Sequence, residues 1–139
     1  MHRVIICLDA PKKGSLSLIS IEYIDTLEGN NEKKVLKFSQ ELLSKPVNKA
    51  SLFVIKVDGE SMQPVIKNRT LVVADLSQRE VEDKGVYLVY KDNKMWIKQA
   101  KKEKNEIIFI SINEAYSHLV YKQSDVRVVA KAVLAFNVL

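Results

Sequence analysis

The sequence predicts a mostly β protein: a highly curved multi-strand sheet assembly, preceded by an N-terminal arm that contains one short helix. Three observations carry this. From about residue 50 onward, β-branched apolar runs recur at intervals of about 10 to 15 residues. Turn residues punctuate those runs in the manner of hairpins, and no long amphipathic helix intervenes. With 139 residues, 47% of them hydrophobic and 28% charged, the chain has the size and composition of one globular domain.

The elements follow in order. Residues 1–49 form the arm. Val4 to Leu8 and Leu16 to Tyr23 read as short strands separated by Pro11-Lys12-Lys13-Gly14. Glu32 to Ser44 reads as the helix, because Val35, Phe38, Leu42 and Leu43 are spaced to share one face, and Pro46 ends it. Residues 50–139 form the core. Leu52 to Val57 alternates like a half-buried strand and stops at Asp58-Gly59, a turn signal. Leu71 to Asp75 and Gly85 to Val89 are the next strands. Lys91-Asp92-Asn93-Lys94 is a hairpin turn leading into Met95-Trp96-Ile97, and a charged hairpin loop then precedes Ile107 to Ile110. Val126 to Val133 opens the last strand, and Ala132 to Leu139 is apolar almost throughout. An apolar edge of that kind must be buried or paired with another chain.

Composition excludes several classes of function. No apolar run approaches the ~20 residues of a membrane span, and Val4 to Leu8 is too short for a secretory signal core. A cytoplasmic location is expected. The single cysteine, Cys7, allows neither an internal disulfide nor a metal cluster and reads as a buried apolar residue. No zinc spacing, phosphate-binding glycine loop or helix-turn-helix signature is present, so no cofactor or metal is expected. The net charge is +5, but its densest cluster, Lys98 to Lys104, reads as a solvated hairpin, and no direct nucleic-acid binding is expected.

The chemistry concentrates in Gly59-Glu60-Ser61-Met62-Gln63-Pro64 and in Lys98, 37 positions after Ser61. A serine just past a strand end is exposed and held by backbone, which suits a nucleophile, but it needs a base within hydrogen-bond reach. The two histidines are poorly placed: His2 is at the terminus and His118 lies in a late polar segment. Lys98, in an apolar strand, is the better candidate, because burial can depress a lysine pKa far below its ordinary ~10.4. Ser61 and Lys98 therefore read as a Ser/Lys dyad. Backbone N–H groups of Glu60, Ser61 and Met62 are the candidate oxyanion donors.

The ordered set of these segments resembles the self-cleaving peptidase family of LexA, UmuD and phage repressors. The Gly-Glu-Ser-Met-x-Pro turn and the downstream lysine carry the likeness. Leu71 to Asp75, Gly85 to Val89, Ser111-Ile112-Asn113-Glu114-Ala115-Tyr116 and Val126 to Val133 fall in the family's order. The resemblance covers residues ~50 to 139 and implies a serine endopeptidase that cuts its own arm, or a dimer partner's, when promoted by RecA filaments. It further implies a homodimer built around the C-terminal strands and a role in the DNA-damage (SOS) response or in mobile-element regulation. The chain is about as long as UmuD, and its arm leaves no room for a DNA-binding domain. It thus most resembles the branch that partners an error-prone polymerase. A non-cleaving dimeric interaction domain, and a phage-type repressor's C-terminal domain working with a separate DNA-binding protein, are the alternatives.

Three features depart from the family pattern. Trp96 stands where a threonine commonly precedes the lysine by two positions, and Arg69-Thr70 replaces the usual Gly-Asp. The chain also lacks the Ala-Gly or Cys-Gly dipeptide at which such proteins cut. The nearest candidate scissile bonds are Lys13–Gly14, with Gly14 47 positions before Ser61, and Glu28–Gly29, with Glu28 33 positions before it.

Overall fold

A computed structural model describes residues 18–25 and 31–139. Among the described residues, nine strands form two antiparallel sheets. The first is a two-stranded ribbon of β1 (Leu18–Asp25) and β2 (Glu32–Ser39). The second contains β3 (Leu52–Lys56), β4 (Leu71–Asp75), β5 (Val86–Lys91), β6 (Lys94–Glu103), β7 (Glu106–Ile110), β8 (Tyr121–Lys122) and β9 (Arg127–Phe136). Its spatial order is β3-β4-β9-β5-β6-β7-β8. The expected mostly β architecture is what forms. Register shifts in β9 opposite Val73/Ala74 and opposite Leu88/Val89 mark bulges, which add twist and supply the curvature.

One element differs from the sequence reading. Glu32 to Ser44 is not an α-helix: Glu32–Ser39 is a strand, and helical structure is confined to a single 3₁₀ turn, Gln40–Leu42. Lys34, Leu36 and Phe38 alternate inward with period two, whereas Val35 and Leu42, which the helical face required inside, are exposed. The tertiary partner decides between the two periods, because β1 pairs with β2 in unbroken register from Leu18↔Ser39 to Asp25↔Glu32. The expected strand Val4 to Leu8 and Cys7 lie outside the described residues.

The ribbon is packed on the larger sheet. Ile19, Ile21 and Phe38 form one apolar cluster with Leu52, Val54 and Val73. Its far end is anchored electrostatically. Asp25, buried, accepts from Lys56 Nζ at 2.9 Å and from Lys34 Nζ at 3.2 Å. The Lys56 hydrogen bond, and then Lys34, hold its pKa down to about 2 against the opposing effect of burial. A carboxylate with a depressed folded-state pKa stabilises the fold above its unfolded value near 3.8, and that contribution is lost as pH falls toward 2.

β9 lies in the interior of the sheet, with β4 on one edge and β5 on the other, so the apolar C-terminal strand finds its partners within its own chain. A second buried carboxylate secures the start of β3. Burial pushes the Asp75 pKa up, but donors from Gln78, Ser77 and Ser51 outweigh it and hold the group below the usual range.

Gly85 precedes β5 beneath the Tyr87 ring, whose hydroxyl donates to the Glu80 carbonyl and accepts from the Glu82 N–H. A Cβ at position 85 would lie 2.6 Å from that ring. Gly85→Ala is therefore expected to cost about 1–3 kcal/mol through overpacking, read as a lower urea midpoint with unchanged slope.

Candidate active site

The serine turn is built by the chain between β3 and β4. Its base is closed by Val57 N–H to Thr70 carbonyl (2.9 Å) and Arg69 N–H to Val57 carbonyl (2.8 Å). Gly59 enters the turn at φ +129°, a conformation that L side chains rarely adopt, and its N–H donates to Asn68 Oδ1 at 2.9 Å. Arg69, where the family resemblance leads one to expect glycine, takes φ +69°, so the left-handed turn is kept without the glycine. Met62 is 2% exposed and packs with Val57, Ile66 and Val72, while its neighbour Ser61 is only half-buried. The methionine of the motif thus fastens the turn to the core and leaves the serine at the surface of a cleft.

A second segment clamps this turn. Asn113 N–H donates to the Ser61 carbonyl at 2.9 Å, and Asn113 Nδ2 donates to the Glu60 carbonyl at 2.9 Å. Gln63 N–H also donates to Glu60, and Ile66 N–H to Met62, so all three carbonyls of Glu60, Ser61 and Met62 are engaged.

Lys98 sits on β6 and is 0% exposed. Desolvation lowers its pKa from the ordinary lysine value. Its Nζ lies 5.7 Å from the Trp96 ring centroid and 5.8 Å from that of Tyr121. These ring faces attract a cation and so work against the depression. Trp96 offers no hydroxyl; its Nε1 donates to the Lys91 carbonyl instead. The amine hydrogen-bonds to Ser111 Oγ at 2.7 Å, not to Ser61.

Ser61 and Lys98 line one cleft of about 360 Å³, together with Lys56, Met95, Trp96 and Tyr116. Asp58, Gly59, Glu60 and Met62 share its wall. His118 is exposed and is not among the lining residues, and His2 lies outside the described residues. So do both candidate scissile bonds, Lys13–Gly14 and Glu28–Gly29. Asp25 is the last described residue before the second of these, and its partner Lys56 lines the cleft. Of the basic cluster, Lys101, Lys102 and Lys104 are exposed as expected of a solvated hairpin, and Lys98 alone turns inward.

Sequence reasoning missed Ser111 as a partner of the lysine. The signal was available by counting. The β6–β7 hairpin turns on Lys104-Asn105 and pairs Glu103↔Glu106 through Gln99↔Ile110. One step further, Ser111 stands opposite Lys98, and opposed residues of an antiparallel ladder share a face.

No helix among the described residues is long and apolar enough to cross a membrane, and no cluster of potential metal ligands occurs among them. A β-rich domain with a turn serine and a buried lysine on one cleft has the architecture of a serine-peptidase-type domain. Residues 19–133 match the family described as Peptidase S24-like, and the chain belongs to that family. A Haemophilus influenzae protein described as an uncharacterized HTH-type transcriptional regulator is 36% identical over 78 residues. That match covers 55% of this chain and 33% of the relative, so the likeness spans about a third of the relative's length.

Proposed function

We propose that the chain is a self-cleaving serine endopeptidase that cuts its own N-terminal arm through Ser61 and Lys98. The observation that carries this reading is the shared cleft: a serine fixed at its surface and a fully buried lysine with depressed pKa in its wall. Neutral Lys98 takes the Ser61 hydroxyl proton as Oγ bonds to the scissile carbonyl carbon. The N–H groups of Glu60, Ser61 and Met62, whose carbonyls are the atoms spent on holding the turn, are the donors for the oxyanion. The C–N bond then breaks, the leaving amine takes the proton from Lys98, and a water deprotonated by Lys98 hydrolyses the Ser61 ester.

The arm supports this assignment. Its ribbon is packed on the core, and Asp25, three positions before Glu28 in the sequence, is held by Lys56 of the cleft wall; on that ground we take Glu28–Gly29 in preference to Lys13–Gly14 as the bond cut. The biological role that follows is regulation of a DNA-damage response or of a mobile element, promoted by RecA filaments and exercised through an error-prone polymerase. A second reading rests on the Haemophilus relative: this domain serves a transcriptional repressor, with DNA binding supplied by another domain or chain. A homodimer through the C-terminal strands belongs to either reading. Since both edges of β9 are used within the sheet, it would rest on the strand's face and on Val138 and Leu139, which are 89% and 109% exposed.

The test is mass spectrometry of the purified chain after incubation at pH ~10, beside Ser61→Ala. A Ser61-dependent fragment beginning at Gly29 or elsewhere in the arm is expected. An intact chain even with RecA filaments present would move the assignment to a non-cleaving dimeric interaction domain.

A further inference from the structure

On the reading that Ser61 and Lys98 perform the cleavage, we propose that Ser111 is the positioning residue for the lysine: its hydroxyl fixes one N–H of the Lys98 amine and so directs the amine's lone pair into the cleft. A neutral primary amine turns freely about Cε–Nζ unless a partner holds it, and only one of its three directions can face the nucleophile. At 2.7 Å, with Lys98 0% and Ser111 7% exposed, the contact is short and shielded from water. The aromatic neighbours cannot replace it. Trp96 and Tyr121 present ring faces to the amine, and the one polar atom of Trp96 is a donor already bound to Lys91.

The placement of Ser111 also ties the base to the nucleophile. Two residues further along the same short segment, Asn113 holds the carbonyls of Glu60 and Ser61. One stretch of backbone, Ser111-Ile112-Asn113, therefore grips the lysine at one end and the serine turn at the other. Ile112 packs against the cluster containing Met62, which keeps the stretch seated between them.

The test compares the wild-type chain with Ser111→Thr and Ser111→Val, which match each other in shape and differ in the hydroxyl. Self-cleavage rates are followed from pH 7 to 11, and Lys98 is titrated by NMR at its ε-carbon in the Ser61→Ala background. The other ionisable groups around the amine, Lys56, Asp58, Glu60, Tyr116 and Tyr121, are common to all variants. Ser111→Val is expected to lower the high-pH plateau by roughly 10- to 100-fold through misorientation. It is also expected to move the Lys98 titration to lower pH, because an acceptor that favours the ammonium is lost. Ser111→Thr restores both. An unchanged titration in Ser111→Val, with or without a loss of rate, overturns the proposal, because packing alone would then explain the effect. A wild-type chain that never cleaves defeats the peptidase reading, while the titration still decides whether Ser111 anchors Lys98.

Discussion

Lys98→Met is expected to lower self-cleavage by at least roughly 10³-fold, since removing a general base or its nucleophile disables the unit as a whole. Ser61→Ala should match it, and the double variant should be no worse than either. The fold should survive, because methionine fills the same apolar wall beside Trp96 and Met95 without a buried amine. The pH dependence carries a second signature. In the wild type, activity is expected to rise as Lys98 loses its proton and to level off below the ordinary lysine range, because burial depresses that pKa. The same depression gives stability a sign. Across the window between the lowered folded value and 10.5, the unfolded chain still binds the proton that the folded chain has released, so stability rises with pH. Lys98→Met should flatten that slope in urea titrations at successive pH values. A variant that cleaves at wild-type rate would remove Lys98 from the mechanism.

Deleting Leu134 to Leu139 is expected to abolish cooperative folding. Leu134, Ala135 and Phe136 are the rungs that pair with Val73, Val72 and Leu71 of β4. Leu134 and Phe136 also pack on the cluster that joins the arm to the sheet, with Phe136 6.0 Å from Phe38 ring to ring. Truncating one large buried side chain costs about 2–5 kcal/mol. Leu134 and Phe136 are half-buried and each contributes less than that, but losing both together with their backbone ladder is comparable to the 5–15 kcal/mol that holds a typical domain together. Far-UV circular dichroism and a urea titration would show this, and a sigmoidal transition at near wild-type midpoint would contradict it. Removing Val138 and Leu139 alone should leave the transition intact. That shorter deletion isolates the proposed dimer contact, whose loss would appear as a halved mass in light scattering.

Much of the larger sheet could be read from local signals. β3 and the turn after it follow from alternation ending at Asp58-Gly59. The β5–β6 hairpin follows from Asp92-Asn93, which take φ +53° and +62° as a tight hairpin turn requires. β2 differs from the helix expected there because Val35, Phe38, Leu42 and Leu43 also satisfy a helical period, and the choice between periods is made by pairing with β1, which no pattern within β2 itself reports. The same contrast governs the site. Ser61 and Lys98 stand out by residue type at strand ends and in apolar runs, but Ser111 is an ordinary serine until the ladder is counted from its turn. The interior position of β9 required knowing that β4 and β5, not consecutive in the sheet, would take it between them.

That counting has a consequence for how the chain can vary. Lys104-Asn105 is an exposed two-residue turn that begins six positions, and so roughly 20 Å, along the strand from Lys98. Its side chains do not line the cleft, and substitutions there that tolerate the left-handed φ of +54° at residue 104 should leave the site unaffected. Its length is another matter. One inserted residue, if absorbed by slipping the ladder rather than by bulging, would carry Ser111 to the opposite face and seat Ile110 or Ile112 against the amine. A remote surface loop is thereby constrained in composition only by its own backbone but fixed in length by the chemistry at the far end of the hairpin.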